Sequence, residues 1–240
     1  MASIPDSDRR VDPAADSAVL DNPAHSALLG PHARFAERYG TALRYPVDVS
    51  PWVALPDDPS TADWDDAAEL VGRNGTITLA TVTVEPPEGW ISRMRMAGVQ
   101  MIGDTVRGQS DAEVVELGAN DVDDMLDLVQ RTRPGPFRRR TVELGTYLGI
   151  RHGGTLVAMA GERMHPPGGS EISAVCTDPE FRGEGLASRV MLAVVEAIRR
   201  RGDLPFLHAS VDNAAAIRLY ENLGFTHRRE AVFQAVAPPR

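Results

Sequence analysis

The chain has 240 residues, of which 42% are apolar, with a formal charge of −9 and one cysteine. That length can hold one large domain or two small ones, with material for a core in either case. The charge argues against nucleic acid or an anionic membrane as a partner, and a lone cysteine excludes an internal disulfide framework and a cysteine-based zinc cluster, so no metal is expected.

In chain order, residues 1–18 are rich in Asp, Ser, Ala and Pro and read as a mobile arm. They contain no apolar leader, and no apolar run is long enough to span a bilayer, so a cytoplasmic location is expected. Pro23 to Tyr39 is compatible with helix, with Leu28, Leu29, Phe35 and Tyr39 as packing residues. Asp57 to Ala62 reads as a turn leading into a helix over Trp64–Val71. Thr76–Val84 is β-branched and alternating, hence a strand, ended by Pro86-Pro87. Val99–Ile102 reads as a second short strand and Arg107–Asp111 as a linker. Residues 19–110 thus form a smaller α+β lobe, and residues 111–240 a second domain.

That second domain opens with a strand at Val114–Leu117 and a helix over Asp121–Arg131. A hairpin follows, Tyr147–Ile150 and Thr155–Ala160, joined through His152-Gly-Gly. Trp52-Val-Ala-Leu with Trp64–Val71 echoes Val115-Glu-Leu with Val122–Val129, each a short strand, an acidic turn and a helix. Residues 50–105 could be a shortened copy of the second half, or the echo could be two ordinary helices with acidic first turns.

The segment Glu171–Ser188 carries the chemistry. Ile172, Ala174 and Cys176 alternate with Glu171, Ser173, Val175 and Thr177, as on a strand. Gly183 and Gly185 then let a ligand approach the main chain, and from Leu186 the apolar spacing turns helical. Such a strand, loop and helix presents free N–H groups at the positive end of a helix dipole, a site for an anionic phosphate. Arg199–Arg201 and Gly202 end the helix, and a parallel strand follows at Phe206–Val211. Gly183 and Gly185 begin a dinucleotide fingerprint, but Ser188 stands where its third glycine belongs.

The pattern Arg182-x-x-Gly185-x-Ala187 resembles the coenzyme A pyrophosphate loop of the GNAT superfamily of N-acetyltransferases. Asn213-Ala-Ala-Ala-Ile-Arg-Leu-Tyr220-Glu-Asn-Leu-Gly-Phe225 is similar to the GNAT motif Asn-x-x-Ala-x-x-Leu-Tyr-x-x-x-Gly-Phe at every fixed position. The nearest likeness is to bacterial members with an FR47-like C-terminal domain. Strand, helix, hairpin, strand, helix, strand, helix, strand over about residues 113–236 is the GNAT order.

The resemblance implies an α/β (α+β) fold with a mixed central sheet, and acetyl transfer from acetyl-CoA to a primary amine in a ternary complex. It places Val175, Cys176 and Thr177 along the pantetheine arm, and Arg182, Gly183, Glu184, Gly185, Leu186, Ala187, Ser188 and Asn213 around the cofactor. A backbone N–H near Val175 would hold the oxyanion, Tyr220 would protonate the leaving thiolate, and Glu171 would act as base through a water. A solvated carboxylate is an equal reading for Glu171. His208 is a reserve base, and Cys176 reads as a small core residue, which favours direct transfer. Arg131, Arg133 and Arg138–Arg140 would suit a carboxylate-bearing amine or simply form a solvated basic turn. A non-catalytic acyl-CoA-binding protein, its N-terminal lobe filling the acceptor cleft, is the alternative. The resemblance also leaves room for a homodimer.

Overall fold

The structure is a computed structural model that describes residues 17–72, 74–80 and 84–239. An eight-stranded sheet dominates it, in the order β4-β11-β5-β10-β9-β8-β7-β6. The strands are β4 (Ile77–Ala80), β5 (Ile91–Ile102), β6 (Val114–Leu117), β7 (Tyr147–His152), β8 (Thr155–Glu162), β9 (Gly169–Thr177), β10 (Leu204–Ser210) and β11 (Thr226–Ala237). Among the described strands of this sheet β9 and β10 run parallel, joined by the crossover helix α4 (Leu186–Arg200). The rest of the sheet is antiparallel, so it is mixed. A second, three-stranded sheet holds β1 (Glu37–Tyr39), β2 (Ala42–Arg44) and β3 (Val53–Ala54).

Helix α4 covers one face because its apolar residues recur at helical spacing. Leu186, Val190, Met191, Val194, Val195 and Ile198 are buried against Ile172, Leu207 and Ala209, each worth about 1.5–3 kcal/mol relative to exposure. Helix α5 (Ala214–Asn222) joins the same face through Tyr220 and Leu219. The other face takes α3 (Val122–Thr132) at one end, over Met159, Ala174 and Cys176. At its other end lie the N-terminal segments, where Trp52 packs on Phe233 with ring centroids 6.1 Å apart.

Several expectations are corrected. The helix begun at Pro23 stops at Leu29 (α1, Pro23–Leu29), and Glu37–Tyr39 is a strand instead. The strand expected over Val99–Ile102 starts eight residues earlier, at Ile91, where Arg93 and Arg95 hide it from an apolar reading. Within the strand expected at Thr76–Val84, Ile77–Ala80 is extended, and residues 81–83 lie outside the described residues. Of the expected arm, only Ser17 and Ala18 are described, in a 3-10 turn to Leu20. Helix α2 (Thr61–Val71) begins with a capping box between Ser60 and Asp63.

The halves of the chain share one sheet. Strand β5 lies between β10 and β11, pairing Gln100 with His208 on one side and Val99 with Glu230 on the other. The strands of residues 50–105 divide between the two sheets, so the echo extends to strand–helix order alone. Residues 107–111 are irregular, as a linker should be, yet are strapped along α4. Gly108 lies so close that a Cβ would come within 2.3 Å of Glu196 Cα, the Gln109 N–H donates to the Leu192 carbonyl, and Arg189 grips Asp111 at 2.6 and 2.8 Å.

Candidate active site

The parallel ladder between β9 and β10 ends at the pair Ile172–Leu207. Beyond it the strands part, while β8 still pairs β9 to Thr177 and β5 still pairs β10 to Ser210. Into that gap opens a cleft of about 940 Å³. Ala174 sits there at φ +54°, where the register of β9 against β8 shifts. A residue in the left-handed region makes a bulge and re-aims its neighbours. Val175 therefore turns to the α4 face with Ile172, and Cys176 to the α3 face with Ala174. This corrects the strict alternation read from the sequence, which put Val175 and Glu171 on one side.

Past β9, Asp178 accepts from the Glu180 N–H at 3.0 Å and the chain turns into α4. Gly183 and Gly185 have φ of +89° and +77°, and a Cβ on either would meet no protein atom within 4 Å. Gly185 is the N-cap of α4 and supplies no side-chain acceptor. The first-turn N–H groups thus face open space at the dipole's positive end. Asn213 caps α5 by accepting from the Ala216 N–H at 3.1 Å.

The cleft brings together Val175, Cys176, Thr177, Arg182, Gly183, Gly185, Leu186, Ala187, Ser188, Asn213 and Tyr220. Glu184 points to a neighbouring hollow instead. Burial raises the Tyr220 phenol to about 12 and the Cys176 thiol to about 11, so both stay protonated at neutral pH.

Glu171 does not line the cleft among its walls. Its side chain is fully buried, on the face opposite Ile172. Arg163 binds it through Nε at 2.8 Å and Nη2 at 2.5 Å, and His208 Nδ1 donates at 2.7 Å. Burial would raise its carboxyl, but the Arg163 charge and these hydrogen bonds override that and hold it at about 2. Gln100 Nε2 donates to His208 Nε2 at 2.9 Å, while Gln100 Oε1 accepts from Arg228 at 2.6 Å. This fixes a neutral imidazole, in keeping with burial lowering the His208 pKa. The expected water-reaching carboxylate is thus an enclosed ion pair.

A crystal structure of a GNAT-family protein from Novosphingobium aromaticivorans superposes with a TM-score of 0.83 at 37% identity, over 92% of this chain and 99% of that one. The chain belongs to the GNAT family. The FR47-like protein family matches residues 147–234, which leaves out β5. N-alpha-acetyltransferase RimI of Mycobacterium tuberculosis is 37% identical over 82 residues, 33% of this chain and 51% of that enzyme. A mycothiol acetyltransferase of Nocardiopsis dassonvillei is 44% identical over 72 residues, 29% of this chain and 21% of that one. The chain therefore spans about half or less of the curated relatives it matches. Because the Novosphingobium alignment covers 92% of the chain, the GNAT likeness extends well beyond residues 113–236.

The basic turn after α3 mostly neutralises neighbouring acids. Arg131 pairs with Asp127 and Asp178, Arg139 with Asp123, and Arg140 with Glu143 and Asp48. Of this group Arg133, at the left-handed C-cap of α3, lines the GNAT cleft. Sequence reasoning missed the far wall, made by Trp52, Met94, Met96 and Phe233. Its one signal was Met94 and Met96 at strand spacing, alternating with Arg93 and Arg95. Among the described residues no helix is long and apolar enough to cross a membrane, and no group of three His, Cys, Asp or Glu could hold a metal ion.

Proposed function

We propose that this GNAT protein transfers an acetyl group from acetyl-CoA to a primary amine, directly, in a ternary complex. The observation that carries the reading is the juxtaposition of an unoccluded phosphate loop at the start of α4 with Tyr220 across the gap between β9 and β10. The Gly183–Ser188 main chain and Arg182 would hold the pyrophosphate, and Asn213 would border it. The free edge of β9 from Val175 to Thr177 would run beside the pantetheine arm, its N–H groups polarising the thioester carbonyl.

In that arrangement the amine nitrogen attacks the carbonyl carbon, forming the C–N bond, and the C–S bond breaks. Tyr220 gives its proton to the departing thiolate and regains one from the nitrogen or from solvent. Cys176, held as a neutral thiol, supports transfer without an acyl-enzyme. Glu171 enters only through His208 and Arg163, as a positioning residue.

The second reading, a non-catalytic acyl-CoA binder, has less support, because Trp52, Met94 and Met96 line the far side of the cleft and leave it open. Release of CoA thiol, followed across a panel of amines, tests the choice. Turnover on any amine supports transfer. A rise in melting temperature with acetyl-CoA and no thiol release from any amine would support the binder instead.

A further inference from the structure

The cleft runs through the sheet from one face to the other. Its donor end, at Arg182, Leu186 and Tyr220, lies on the α4 and α5 face. Its other end emerges on the opposite face, where Trp52 and Phe233 belong to the N-terminal core. That acceptor end is apolar. Met94 and Met96 share one face of β5 and are 39% and 38% exposed, beside Trp52, Phe233, Pro134 and Pro136. Arg95 between them is turned away, to Glu85 at 3.1 Å.

Charge is distributed unusually for a site that must accept an amine. Among the described residues no Asp or Glu lines the cleft, and its charged lining groups are Arg133, Arg163 and Arg182. The buried carboxylate Glu171 has Arg163 on both oxygens and His208 on one of them, and the buried Asp178 is paired with Arg131. An ammonium ion entering here would leave water without a carboxylate counter-charge, because Glu171 is already taken by Arg163, and the charged group at that end is Arg133.

From this we infer that the acceptor is a weakly basic primary amine carried on an apolar group, arriving uncharged. The inference rests on the acetyl-transfer reading above. Two sources share this chemistry: the α-amine of a peptide that begins with an apolar residue, and a free arylamine. At about pH 7.5 roughly a third of α-amines are neutral, against roughly a thousandth of lysine side chains. Two adjacent methionines, flexible and polarisable, can pack against apolar groups of varied shape.

The test measures kcat/KM by CoA release for five acceptors: a short peptide beginning with Phe, one beginning with Gly, 4-methylaniline, phenethylamine and cadaverine. The Phe peptide or the aniline should exceed the other three by at least about tenfold, and whichever arm leads identifies the source. A Met96→Glu variant, checked for folding by its acetyl-CoA-induced rise in melting temperature, should move the preference toward phenethylamine and cadaverine. Equal or better turnover of phenethylamine, cadaverine or the Gly peptide by the unmodified protein overturns the inference and leaves acetyl transfer standing. No thiol release from any amine, with acetyl-CoA bound, overturns the acetyl-transfer reading itself.

Discussion

Arg163 closes a bidentate ion pair on Glu171 inside the sheet, and its guanidinium also lies 5.2 Å from the centroid of the Trp52 ring. One residue therefore ties the second-half strands to the N-terminal wall of the cleft. Removing either charge strands the other in an apolar interior. Glu171→Gln and Arg163→Met should each lower stability by about 3–5 kcal/mol, and the double variant by less than the sum. Urea unfolding of the three variants measures this. Single-variant losses below about 1 kcal/mol would mean that the pair is solvated.

Acid should weaken the fold in two stages. His32, His165 and His208 all have pKa values lowered chiefly by burial, with His32 brought to about 3. Below the unfolded value of about 6.5 the unfolded chain binds protons that the folded one refuses, so stability falls from there downward. Glu171 is depressed to about 2, so its contribution is intact above the unfolded value of about 4.5 and fades as pH drops toward 2. Urea midpoints at several pH values from 8 to 3 should decline from just above pH 6 and steepen below about pH 5. A flat profile down to pH 5 would contradict the neutral buried imidazoles.

For Tyr220→Phe, kcat should fall by about a hundredfold, with acetyl-CoA affinity changed by less than about twofold. The phenol sits at about 12, so the wild-type rate should show no alkaline loss from this group below about pH 10. Full turnover in the Phe variant would remove Tyr220 as the acid.

Gly185→Val places a branched side chain where φ is +77° and where the protein leaves space. The left-handed conformation should cost about 1–2 kcal/mol of stability. The larger effect should fall on the ligand, with acetyl-CoA binding weakened by about tenfold or more in a calorimetric titration. Unchanged binding would place the phosphates elsewhere.

Sequence and structure agree best where the signal is local. The loop from Arg182 to Ala187, the Asn213 cap and the Leu186–Arg200 stripe depend on residues close in the chain, and all were legible. The bulge at Ala174 was not, because alanine carries no mark of a positive φ. Nor was the fate of Glu171. A carboxylate at a strand start looks the same whether solvated or paired, and its partners Arg163 and His208 lie 8 and 37 residues away. Strand β5 was read short because Arg93 and Arg95 interrupt its apolar pattern while projecting from the sheet.

Strand β5 also sets a schedule for synthesis. Residues 91–102 leave the ribosome well before β10 (Leu204–Ser210) and earlier still before β11 (Thr226–Ala237), the two strands they will separate. Until β10 is made both edges of β5 lack these partners, and the edge that β11 will cover stays open until the chain nears Ala237; Arg93 and Arg95 place charge on that strand, as exposed edges commonly do. A fragment cut at residue 110 would meet the converse problem, since β10 and β11 would face each other across a missing strand. The two halves should therefore melt in one transition, because neither owns a finished sheet.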